Sequence, residues 1–161
     1  MNPGQFIPVF EKNGLISEVD KYMWRCACEI LAEWEKRNID SFISINVSPK
    51  DFYRLDVVSE LKALVEEFDI DPKKLRVEIT ESAMTSDTLD MIKTVGKLHD
   101  LGFIVEMDDF GSGFSSLNML KDLPFDVLKI DMNFLGKSSD EVKCSTEDER
   151  EDLRAFPCSL R

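Results

Sequence analysis

Phe103-Ile104-Val105-Glu106-Met107-Asp108-Asp109-Phe110-Gly111-Ser112-Gly113-Phe114 is an apolar run that ends in two adjacent carboxylates and a glycine-rich turn. Two like charges at the end of a buried strand repel each other and lose hydration, so the pattern calls for a cation nearby. Gly111 and Gly113 let the backbone turn sharply just beyond the acids. Strand, acidic pair and tight loop, in that order, read as one side of a metal site.

Working outward, the same alternation of strand and helix repeats along the chain. Upstream, Ser86 caps a helix running through Leu89, Ile92, Val95 and His99, which Gly102 terminates. Before it, Leu75 to Glu81 reads as a strand with Arg76, Glu78 and Thr80 on one face and Val77 and Ile79 on the other. Asp56 to Phe68 is an amphipathic helix with Val57, Leu61, Leu64 and Phe68 in a stripe, and Phe42 to Ser48 is a short strand closed by Pro49. Ser17 with Asp20 predicts a capping box. The helix behind it carries Val19, Met23, Cys26, Ile30 and Trp34 at spacings of three and four, with Trp24 off that stripe. Met1 to Gly14, with Pro3-Gly4 and Pro8, reads as an irregular entry that packs Phe6, Ile7, Val9 and Phe10. Downstream, a short helix from about Ser115 to Lys121 leads to a last strand, Val127-Leu128-Lys129-Ile130-Asp131.

Alternating strands and helices make right-handed crossover units and a parallel sheet. The expected fold class is therefore α/β, with about four parallel strands. Each strand ends in polar groups: Asn46; Glu78 with Thr80 and Glu81; Asp108 with Asp109; Lys129 with Asp131. Parallel strands bring those ends to one side, where barrel enzymes and open α/β sheets keep their chemistry. Singly, Asn46 fits a turn or cap, Glu78 a buried ion pair, Asp108-Asp109 a loop start, and Lys129 with Asp131 a structural salt bridge. Their convergence from four strands is what favours function over packing.

Composition bounds the class of partner. The chain has 161 residues, 43% apolar and 32% charged, with a net charge of -12 and no basic patch. That excludes a nucleic acid polymer or an anionic membrane as main partner, yet allows a small anionic ligand carried by metal ions. No long apolar run or secretory leader is present, so a cytoplasmic location is expected. Cys26, Cys28, Cys144 and Cys158 lack metal-ligand spacing and are read as reduced thiols.

Five linked segments resemble the EAL-domain family of bacterial cyclic di-GMP phosphodiesterases. They are Phe6-Ile7-Pro8 with Asn13-Gly14-Leu15-Ile16, Asn46-Val47-Ser48, Glu78-Ile79-Thr80-Glu81-Ser82, Asp108-Asp109-Phe110-Gly111-Ser112-Gly113, and Lys129-Ile130-Asp131. The resemblance implies a (β/α)8 barrel that hydrolyses cyclic di-GMP to the linear dinucleotide pGpG with Mg²⁺ or Mn²⁺. It implies Asn46, Glu78 and Asp108 as metal ligands and Asp109 as the ligand of a second metal. Lys129 matches the lysine that orients or polarises the attacking water, so the implied catalytic set is Lys129 with Glu78 and Asp108. Asp131, beside Lys129 in the same motif, is read as a substrate contact, and Glu81 as structural. Hard oxygen donors of this kind suit Mg²⁺ or Mn²⁺.

The resemblance runs from about Pro3 to Leu135. The expected organisation is a partial EAL domain over 1–135, a partial (β/α)8 barrel, followed by a charged, disordered tail over 136–161. The family's first strand, with its Glu-Ala-Leu ligand, and its C-terminal strands have no counterpart in this sequence. Three readings follow: a phosphodiesterase with lost or reduced activity, a non-catalytic cyclic di-GMP-binding or regulatory module, or a non-functional truncated product. The expected partners are cyclic di-GMP and a second copy or another EAL or GGDEF protein. Asp109-Phe110-Gly111 also matches the metal-binding triplet of protein kinases, but no His-Arg-Asp loop or Val-Ala-Ile-Lys strand accompanies it.

Overall fold

In the computed structural model, residues 3–81, 83, 88–111 and 124–131 are described. Their elements in chain order are α1 (Pro3–Asn13), α2 (Ile16–Lys36), β1 (Ile43–Val47), α3 (Asp51–Arg54), α4 (Val57–Phe68), β2 (Leu75–Thr80), α5 (Thr88–Asp100), β3 (Val105–Phe110) and β4 (Val127–Ile130). The four strands form one sheet in the order β1-β2-β3-β4, and every neighbouring pair is parallel. The expected α/β class and the four strands are therefore present. The expected Ser115 to Lys121 helix, the Ser86 cap, Cys144, Cys158 and the segment 136–161 lie outside the described residues.

Strand period sorts the sheet into two faces. Ile45, Val47, Val77, Ile79, Val105 and Met107 are buried against a helical layer that includes Trp24, Leu31, Leu61, Val65, Val95 and Leu98. Fully burying one such side chain contributes about 1.5–3 kcal/mol, so this layer is the principal source of stability. The opposite face carries Ser44, Asn46, Arg76, Glu78, Thr80, Glu106 and Asp108, paired in register as Ser44 with Arg76, Asn46 with Glu78, Glu78 with Glu106, and Thr80 with Asp108. One face holds the fold together and the other collects the polar and charged groups. No helix among the described residues is long and apolar enough to cross a membrane.

Local chemistry explains the element ends. Asp56 caps α4, accepting the Ser59 N–H at 3.1 Å and the Ser59 hydroxyl at 2.7 Å. Gly102 closes α5 as expected: its N–H reaches the His99 carbonyl at 2.8 Å while the Phe103 N–H reaches Leu98 at 3.0 Å.

The N-terminal expectations need correction. Met1 to Gly14 is not irregular over its described part, because Pro3–Asn13 is a helix with Pro8 inside it. Pro3 sits in the first turn, where its missing N–H is no loss, and Gly14 ends the helix at φ 74. There the Leu15 N–H bonds Phe10 at 2.9 Å and the Gly14 N–H bonds Glu11 at 3.3 Å. Phe6 and Phe10 meet one turn apart in a tilted pair, with ring centroids 5.6 Å from each other, whereas Ile7 and Val9 are exposed.

The capping box at Ser17 is also absent. Leu15 occupies the N-cap with no side-chain bond, since the turn that closes α1 at Gly14 runs directly into α2. Ser17 is buried in the first turn instead. The buried stripe of α2 is Trp24, Ala27, Cys28 and Leu31, while Met23 and Ile30 of the expected stripe are exposed. Likewise α5 buries Met91, Val95 and Leu98. Its His99 pairs with Asp126 at 2.8 Å.

Candidate functional site

The charges of the polar face run from Arg76 and Glu106, the second residues of β2 and β3, to Glu78, Asp108 and Lys129 in the C-terminal halves of β2, β3 and β4. Lys129 on β4 forms an ion pair with Glu78 on β2 and a second, at 2.9 Å, with Glu106 on β3. Glu106 also takes Arg76 Nη1 at 2.9 Å and the Ser44 hydroxyl at 3.2 Å. Arg76 in turn lies over the Phe42 ring, 3.4 Å from its centroid. A carboxylate in such a place keeps its charge only when it is fully compensated.

This compensation shifts the carboxyl and ammonium groups in opposite directions. Burial pushes the Glu106 carboxyl up, but hydrogen bonds from Lys129 and Arg76 outweigh it and hold the group below the usual carboxylate range. Burial likewise pushes Lys129 down, and its hydrogen bonds to Glu78 and Glu106 raise it above the usual lysine value. Asp109 moves the other way. Desolvation first, then the charges of Asp108 and Asp131, raise its carboxyl, so these three acids share one negative field.

A bulge in β3 sets that acidic cluster. The register between β3 and β4 shifts between Met107 and Phe110, and Asp109 adopts the left-handed conformation at φ 57. Strict alternation from Met107 would leave Asp109 on the apolar face and Phe110 off it. The extra residue instead returns Phe110 to the core at 3% exposure and leaves the Asp109 side chain exposed beside Asp108. Beyond it, the Gly111 N–H donates to the Glu81 carboxylate at 2.8 Å, which ties the end of β2 to the turn after β3. Asp131 donates its own N–H to the Phe110 carbonyl at 3.0 Å.

The structure thus brings together Glu78 with Lys129, and Asp108 with Asp109 and Asp131. Asn46 stands beside Glu78 in the strand register with its side chain exposed, and its carbonyl accepts the Trp24 indole N–H at 2.9 Å. Among the described residues, no three carboxylate, imidazole or thiolate groups are gathered tightly enough to hold a metal ion. The donor set still fits a hard divalent cation: Asn46, Glu78, Asp108 and Asp109 offer only oxygens, and Asp109 lies in a field of like charge that a cation relieves. Lys129 supplies the compensating charge for Glu78.

Sequence reasoning did not identify Ser44 or Glu106. The available signal was Glu106 itself, a lone carboxylate inside an apolar run and two residues before Asp108, hence on the same strand face. A pocket lined by Lys62, Val65, Glu66, Asp69, Ile70, Pro72, Leu101 and Phe103 contains none of these groups.

Fold and site together define a segment of a parallel α/β barrel with an acidic rim at its strand ends. The EAL domain family matches residues 1–145, and the chain belongs to that family. It is 40% identical over 134 residues to the signaling protein YkoW of Bacillus subtilis, covering 83% of this chain and 17% of that protein. It is 34% identical over 134 residues to the cyclic di-GMP phosphodiesterase PA2567 of Pseudomonas aeruginosa, again covering 83% of this chain and 23% of the relative. Among solved structures, the PaMucR phosphodiesterase in complex with c-di-GMP superposes with a TM-score of 0.77 at 31% identity, covering 93% of this chain and 64% of that one. The chain therefore spans less than a quarter of these curated relatives and under two thirds of the PaMucR chain.

Proposed function

We propose that this chain carries the strand-end acidic site of an EAL-type phosphodiesterase acting on cyclic di-GMP in the cytoplasm, with linear pGpG as product. The observation that carries the reading is the meeting of Glu78, Lys129, Asp108, Asp109 and Asp131 from three neighbouring strands at one rim. Asn46, Glu78 and Asp108 hold one Mg²⁺ or Mn²⁺ in this reading, and Asp109 a second. When bound, such ions polarise a phosphodiester oxygen and make water nucleophilic near neutral pH. Lys129, kept protonated by its carboxylate partners, orients the water and faces the anionic phosphodiester. Asp131 contacts the substrate. Residues 1–135 form the functional unit and 136–161 a charged tail, so limited proteolysis that trims the tail should leave ligand responses intact.

Thermal unfolding with cyclic di-GMP and Mn²⁺, each alone and then together, tests this. Ligand at a hundredfold over Kd stabilises by about 2.7 kcal/mol, which for a chain of this size raises Tm by roughly 5–11 °C. Formation of the linear dinucleotide then reports hydrolysis. An unfolding transition indifferent to the nucleotide in the presence of Mn²⁺ sinks the reading.

A second reading, binding without hydrolysis in a homodimer or beside another EAL or GGDEF protein, is favoured by the ammonium of Lys129 lying on Glu78 where a metal ligand is expected. It predicts the same rise in Tm with no linear product.

A further inference from the structure

Four charged groups meet on the polar face, two cations and two carboxylates: Arg76, Lys129, Glu78 and Glu106. Their connections are unequal. The Glu106 side chain is 2% exposed, and its two oxygens are engaged by Arg76, Lys129 and Ser44. The Glu78 side chain is 13% exposed, and its partner among the described residues is Lys129. Removing the lysine from Glu106 would leave a buried carboxylate short of a donor, whereas removing it from Glu78 frees a more accessible carboxylate at the strand end.

We propose that Glu106 is a positioning residue, the permanent counter-ion of Lys129, which lets the ammonium release Glu78 when a divalent cation arrives. This rests on the reading of Glu78 as a metal ligand. In the metal-free chain, Lys129 neutralises both carboxylates. When the cation takes Glu78, the ammonium keeps Glu106 and so remains compensated beside a doubly charged ion. Without Glu106, Lys129 has Glu78 alone and competes with the cation for it. Arg76 cannot substitute for Lys129, because it engages Oε1 of Glu106 while Lys129 engages Oε2, and it is held over Phe42.

The test is Mn²⁺ titration of the full chain, followed by the loss of the free Mn²⁺ paramagnetic resonance signal. E106Q should weaken Mn²⁺ binding about tenfold, a free-energy change of about 1.4 kcal/mol. K129M should tighten it, and E106Q/K129M should bind like K129M, because Glu106 acts only through the lysine. Should E106Q fail to fold, R76M/E106Q removes the carboxylate together with its second cation and carries the same comparison. Wild-type affinity in E106Q, or a double variant as weak as E106Q, overturns the proposal. A metal-free arm separates this outcome from failure of the metal-site reading. Acetylation of Lys129, quantified by mass spectrometry, should rise more in E106Q than in E78Q, and the reverse ranking overturns the proposal by itself. Absence of Mn²⁺ binding in every variant sinks the metal reading, while the acetylation ranking still decides which carboxylate is the resident partner of Lys129.

Discussion

Asp20 shows how a single side chain ties stability to pH. It lies on the half-buried side of α2. Burial first, then its hydrogen bond with Asp51, then the charges of Asp51 and Glu11 push its carboxyl up to about 7. Asp51 is fully buried and accepts the Ser48 N–H at 2.9 Å, one residue beyond the end of β1. From about pH 4 to 7 the folded chain thus holds a proton that the unfolded chain has released. Stability therefore falls as pH rises through this window and levels off above it. Because the site is only half-buried, the loss is on the order of 1 kcal/mol after discounting for solvent screening. Asp20→Asn should flatten the dependence of Tm on pH between 5 and 7.5. An unchanged slope in that variant would show that Asp20 is already ionised in the fold.

Among the elements, the helices were harder to read than the strands, and α2 shows why. It carries two apolar stripes about 100° apart. Val19, Met23, Cys26, Ile30 and Trp34 form the stripe their spacing suggests, yet the residues buried are Trp24, Ala27, Cys28 and Leu31, with Trp34 partly buried against the same core. Ala27 and Cys28 are small yet buried, and Trp24 is both buried and hydrogen-bonded to the Asn46 carbonyl, features that a count of apolar residues does not weigh. Adjacent substitutions decide which stripe is inside. Leu31→Ala should cost about 2–5 kcal/mol in denaturant unfolding, and Ile30→Ala less than about 1 kcal/mol. Equal costs would mean that the helix is rotated from this orientation. The strands were legible because period two and polar endings agree: Arg76, Glu78 and Thr80 share one face, as their alternation implies. The candidate site residues could be named from the sequence, but their geometry could not. Sequence supplies Asp108 and Asp109 as neighbours, but the bulge that turns Asp109 to the rim depends on β4 pairing with Phe110. The helix α1 had readable ends, Pro3 and Gly14, but Pro8 masked them, because an internal proline ordinarily costs a helix ~3 kcal/mol.

At the scale of the whole molecule, the relevant quantity is the excess of acids. With 20 basic and 32 acidic residues the chain repels itself at neutral pH, and this repulsion is distributed over the surface. The Glu106 pairs are partly shielded, since the carboxylate is 2% exposed although Arg76 and Lys129 reach solvent. Screening acts on exposed charges and much less on buried pairs; the Debye length falls from about 30 Å at 0.01 M to about 8 Å at 0.15 M ionic strength. Added salt should therefore relieve the surface repulsion more than it weakens the pairs to the buried Glu106 carboxylate. The metal-free chain should gain a few degrees in Tm between these two ionic strengths, about 1 kcal/mol for a chain of this size. Mn²⁺ at matched ionic strength should add a further increment, because it acts at the rim of Glu78, Asp108 and Asp109 as well as by screening. E78Q should retain the salt response and lose most of that increment. If the salt response is negative, local ion pairs outweigh net repulsion. If Mn²⁺ adds nothing beyond matched Na⁺, the rim has no special affinity for a divalent ion, and the acidic pair after Met107 acts only through its charge.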